Sequence, residues 1–135
     1  MKLLKTFLAT VLLSSPLMAT ATEQPSVFFI TPHDGDVISG DVTVQFGLKG
    51  MGVAPAGVDK DNTGHHHLLI DLDVLPPLDA PLPASENLIH FGGGQTQTTL
   101  SLPPGKHTLQ LLLGDYAHIP MDPPVMSKKI TITVE

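Results

Sequence analysis

Proline and glycine interrupt this chain so often that a long helix has no room to form. There are 13 prolines and 12 glycines, and beyond the N-terminal stretch they separate short runs rich in Val, Ile, Thr and Leu. That punctuation is the signature of an all-β domain with turns between short strands. Several runs alternate apolar and polar residues, as a half-buried strand requires. In Asp41–Leu48, Val42, Val44, Phe46 and Leu48 face one way and Thr43 and Gln45 the other.

Seven strands are expected: Ser26–Thr31, Asp41–Leu48, His65–Asp73, Leu88–Phe91, Thr96–Leu102, Lys106–Leu113 and Val125–Val134, with Val37-Ile38 as a short continuation of the first. Seven short strands in a chain of this size predict an immunoglobulin-like antiparallel β-sandwich. A small jelly roll or open barrel is the alternative. Leu75–Ala84 carries four prolines and cannot pair inside a sheet, so it is an extended crossing segment. Gly105-Lys106-His107-Thr108-Leu109 is similar to the corner before the sixth strand of such sandwiches, with His107 where a tyrosine often stands. His107 is expected to bond to backbone there.

The N-terminus reads differently. Lys2 and Lys5 precede an apolar stretch to Leu17, and Ala19 and Ala21 offer small residues for cleavage. Residues 1–21 are therefore expected to be a cleaved signal peptide, and residues 22–135 a single exported domain, periplasmic and not inserted in the membrane. Without Lys2 and Lys5, five lysines face 13 acidic residues, and the chain has neither arginine nor cysteine. An acidic surface without arginine repels phosphate backbones and excludes nucleic-acid binding. It suits cations instead. An exported chain without cysteine relies on its core alone.

Gly64-His65-His66-His67-Leu68-Leu69-Ile70-Asp71 runs a histidine triplet straight into an apolar strand. Side chains alternate along a strand, so His66 shares the core face with Leu68 and Ile70, and His65 and His67 share the other. In an antiparallel sandwich, the second–third, fourth–fifth and sixth–seventh connections lie at one end. Strand order therefore gathers His65, His66, His67, His90 and His118 there, with Met121 three residues beyond His118. His33 and His107 go to the opposite end.

A metal site built from His65, His67, His90, His118 and Met121 is the sharpest expectation. Imidazole suits copper and zinc, and a thioether favours copper, so copper ranks first and zinc second. The rival expectation is a structural or interaction module of the cell envelope whose histidines only brace loops through hydrogen bonds. Neither a Gly-x-Ser-x-Gly elbow nor a phosphate loop is present. Catalysis would need a histidine-bound metal with an open position. Asp71 and Asp73 read as a solvated pair.

From Phe46 onward several motifs occur in order: Phe46-Gly47-Leu48-Lys49-Gly50-Met51-Gly52, the histidine strand, His90-Phe91-Gly92-Gly93-Gly94-Gln95-Thr96, Leu102-Pro103-Pro104-Gly105-Lys106-His107-Thr108-Leu109, and Gly114-Asp115 followed by His118-Ile119-Pro120. Together they resemble a family of small exported bacterial domains of unknown function. The resemblance implies an exported β-domain and no established activity. It also implies one departure, because the family commonly carries histidine where this chain has Met121.

Overall fold

The structure is a computed structural model that describes residues 23–135; the expected signal peptide lies outside the described residues. Nine strands follow one another: β1 (Ser26–Thr31), β2 (Val37–Ile38), β3 (Val42–Lys49), β4 (Gly52–Val53), β5 (Thr63–Ile70), β6 (Leu88–His90), β7 (Gln97–Leu100), β8 (Gly105–Gly114) and β9 (Ile130–Val134). No helix occurs among the described residues. One sheet has the order β1-β3-β7. The other has the order β2-β9-β8-β5-β4, with β6 also paired to β5. The all-β sandwich expected from the punctuation is the fold observed. The seven longer strands are the seven read from the sequence.

Alternation builds the core. Val42, Val44 and Phe46 from β3 meet Leu68 and Ile70 from β5, Leu109, Leu111 and Leu113 from β8, and Ile130, Ile132 and Val134 from β9. Burying each such side chain contributes roughly 1.5–3 kcal/mol.

The structure departs from the sequence reading in several places. First, Val37-Ile38 does not continue β1. It crosses to the other sheet and pairs parallel with β9. Second, the last strand begins only at Ile130. The Ser127 side chain occupies the backbone there, accepting from Leu111 N–H at 2.9 Å and donating to the Lys128 carbonyl at 2.8 Å. Third, β6 runs antiparallel along β5, with His90 opposite His67 and Leu88 opposite Leu69. That pairing still brings the end of β6 to the start of β5, so the histidines stay at one end. Fourth, β5 and β8 are buried on both faces. Leu69 and Leu112 lie under the crossing segment, packed with Leu82 and Leu88 in a second apolar cluster.

Asp71 ends β5, and it is not a free solvated carboxylate. Its φ of 53° is left-handed, so Leu72 leaves the alternation and packs on the second cluster. Its Oδ1 accepts Thr108 N–H at 2.7 Å, and its Oδ2 lies 2.7 Å from His107 Nδ1. His107 Nε2 donates to the Pro103 carbonyl at 2.7 Å, the backbone bond expected of the corner. Both ring nitrogens face acceptors, so the arrangement suits imidazolium. The Asp71 hydrogen bond, helped by Pro103, raises the His107 pKa above 6.5.

This corner carries a signed pH dependence. A raised folded pKa contributes stability that is complete below 6.5 and lost as pH rises through the raised value. His107→Leu is expected to cost about 2 kcal/mol at pH 6, the worth of a hydrogen bond to a charged partner. The gap between variant and parent should narrow on the alkaline side. Urea unfolding midpoints at several pH values check this.

A histidine cluster at one end of the sandwich

Three elements supply the cluster. β5 contributes His65 and His67, which are 0% exposed. β6 contributes His90. The β8–β9 connection contributes His118, through a tight turn in which His118 N–H donates to the Asp115 carbonyl and Asp115 N–H to the Ile119 carbonyl. The Asp115 carboxylate holds that turn by accepting the N–H groups of Ala117 at 2.8 Å and Ile119 at 2.9 Å. His118 itself has φ 64°, a conformation that costs a non-glycine residue about 1–2 kcal/mol. The turn therefore holds a strained residue with its ring facing the strand.

The rings converge. His65 Nε2 lies 2.9 Å from His118 Nδ1, and His67 Nε2 lies 3.2 Å from the same atom. One nitrogen from each of His65, His67 and His118 falls within 4.8 Å of the others. His90 packs beside them, its ring centroid 4.5 Å from both His67 and His118. Alternation along β5 sends His66 the other way, as expected. It is 0% exposed and lies 5.1 Å from the Phe46 ring in the core, with neither ring nitrogen hydrogen-bonded.

Met121 is not drawn into this group. It packs against the main core, and a Cβ built on Gly64 would meet its Cε at 2.7 Å. Gly64 shares the core face with His66, so the Met121 methyl sits across β5 from His65 and His67. His33, in an exposed turn, and His107, at its corner, lie apart from the cluster.

Burial sets the charge state. Loss of water, then repulsion among the neighbouring rings, lowers His65 to about 4 and His67 to about 3. The same burial lowers His66 to about 4 and pulls His90 below its usual value. The Asp115 charge opposes this at His65, and a backbone contact from Leu112 opposes it at His67. Near pH 7 these four rings are neutral. A neutral imidazole keeps a lone pair available, which is the form that coordinates a metal.

One backbone position makes the cluster possible. A Cβ on Gly114, opposite His65 across the sheet, would lie 2.5 Å from His67 Cε1. Only glycine leaves room for that ring. Sequence reasoning passed over Gly114, although its place at the end of the most apolar strand, just before the histidine loop, was visible.

The fold and the site define a β-sandwich carrying a largely buried histidine cluster at one end. The chain belongs to a family described as a domain of unknown function, DUF4399, whose profile matches residues 44–135. No curated protein matches it. Among solved structures it is similar to the endo-beta-1,4-mannanase from Thermotoga petrophila, with 20% identity over 85% of this chain and a TM-score of 0.49; the chain spans 20% of that protein.

Two outcomes are expected. Gly114→Ala should displace His67 and destabilise the fold by about 1–3 kcal/mol, as overpacking does, with the His67 ring resonances shifted in NMR spectra. Acid should also weaken the metal-free protein. A lowered folded pKa means that the unfolded chain binds more protons below 6.5. Stability should then fall steadily as pH drops from 6.5 toward 4, which thermal unfolding across that range checks.

Proposed function

We propose that this chain is an exported metal-binding protein, with copper as its first ion and zinc as its second. The observation that carries the reading is the convergence on His118 Nδ1. Two Nε2 atoms approach it at 2.9 and 3.2 Å, yet a single ring nitrogen has one in-plane proton or one lone pair to offer. Hydrogen bonding satisfies one of those contacts and leaves the other facing an unshared lone pair. A metal ion uses all three. Ligand distances of 2.0–2.1 Å in a tetrahedron put neighbouring nitrogens about 3.3 Å apart, close to the two contacts made with His118 Nδ1.

Copper ranks first for two reasons. Its divalent form stands above zinc in the affinity order for nitrogen sites. The charge balance also favours its monovalent form. His65, His67 and His90 are neutral near pH 7, and Asp115 is the carboxylate whose field reaches His65. One negative charge offsets one positive charge; a divalent ion would leave a residual charge in a largely buried site. Met121 faces the core and adds no thioether to this preference. Export to the periplasm through residues 1–21 is part of the proposal, and the acidic surface suits a cation carrier.

The rival reading, an envelope module whose histidines brace the loops, draws on the same 2.9 Å contact. Titration of the protein with Cu(I), Cu(II) and zinc separates the two. We expect one equivalent of Cu(I) to bind tightly, and a His65→Ala, His90→Ala, His118→Ala variant to lose that binding while staying folded. Equal binding by parent and variant would remove the metal reading. Zinc binding tighter than Cu(I) would reverse the order of metals.

A further inference from the structure

His65, His67 and His118 present converging nitrogens, but three ligands leave a tetrahedral ion one position short. Two side chains named from the sequence compete for it, His90 and Met121, and the structure separates them.

His90 and His67 are partners across the β5–β6 ladder. The neighbouring pair bonds through its backbone, Phe91 N–H donating to the His66 carbonyl at 3.0 Å, as does the pair beyond Leu69, Ile70 N–H donating to the Asn87 carbonyl at 2.8 Å. His67 and His90 therefore occupy a non-hydrogen-bonded pair, in which the backbones approach most closely, about 4.5 Å between Cα atoms, and both side chains leave the same face. The rings meet edge to face at 75°. The His90 ring also lies over His118, with 30° between the planes.

The nitrogen that matters is buried and has no partner. His90 Nε2 is shielded from solvent and makes no hydrogen bond. The Pro83 backbone lies beside the ring and opposes the effect of burial on it. A proton on Nδ1 would leave the Nε2 lone pair free, the arrangement that orients a histidine ligand. Pro83 belongs to the crossing segment, and the residue before it, Leu82, donates its N–H to the His118 carbonyl at 2.9 Å. One strap thus braces the His118 backbone and passes beside the His90 ring.

We propose, resting on the metal-binding reading above, that His90 is the fourth ligand, its ring turning Nε2 toward the His65–His67–His118 group to close a set of four imidazoles. Met121 is excluded by the strand between it and the group. A closed set has no open position for water or substrate. It makes the site one that holds and hands over an ion rather than one that performs metal-assisted hydrolysis.

Ring-nitrogen NMR of the protein labelled with ¹⁵N-histidine, titrated with Cu(I) and separately with zinc, tests the proposal, since both ions are diamagnetic. Four imidazoles should shift together on loading, with Nε2 as the changed nitrogen of His90. His90→Ala should retain the fold, show three shifted imidazoles and bind more weakly, on the order of 10- to 100-fold. Met121→Leu should bind as the parent does. An unmoved His90 with three shifted rings, or weakened binding in Met121→Leu but not in His90→Ala, would overturn the fourth ligand and leave metal binding standing. Failure of the parent to bind either ion would remove both.

Discussion

The pairing of β5 with β8 is the constraint on which the rest depends. These two strands form the centre of the larger sheet, with His65 opposite Gly114 and Ile70 opposite Leu109. The small sheet covers one face, and the crossing segment covers the other. A histidine strand in that position cannot keep water around its rings. Burial then forces a choice, because a charged imidazole without a partner costs far more in such surroundings than a neutral one. His65, His66, His67 and His90 are held neutral for this reason.

The opposite end of the sandwich resolves the same problem the other way. His107 is also buried, but Asp71 and the Pro103 carbonyl face its two nitrogens. There a carboxylate supports the charged ring and the pKa rises. Histidine chemistry in this protein is thus set by what stands beside each ring, since burial is common to both ends. His66, in the core with neither nitrogen bonded, carries an uncompensated cost of about 1–3 kcal/mol. Nothing in the structure offsets it.

Much of this was legible in the residues. Alternation alone divided the triplet into His66 on the core face and His65 with His67 on the other. Strand order alone gathered His90 and His118 with them, and the antiparallel pairing of β6 along β5 agrees, because it brings the end of β6 to the start of β5. The corner role of His107 was readable from Gly105 to Leu109. The partnership of Asp71 with His107 was not, because it joins positions 36 residues apart and depends on a left-handed residue that stops β5. The solvated Asp71–Asp73 pair read from simple alternation fails at that residue.

The amino-acid sequence by itself determined the fold class and the end of the sandwich at which the histidines meet. Both follow from local rules, the period of two along a strand and the reversal of direction at each turn. Tertiary structure decided which rings reach one another and in what charge state. The crossing segment had to fold back over the sheet before His65 and His67 lost their water. Gly114 had to lie across from the triplet before the His67 ring had room. Met121, three residues from His118 in the chain, was placed by the thickness of a strand on the other side. Sequence distance carries no information about that, because a strand separates its two faces completely whatever the chain does at its ends.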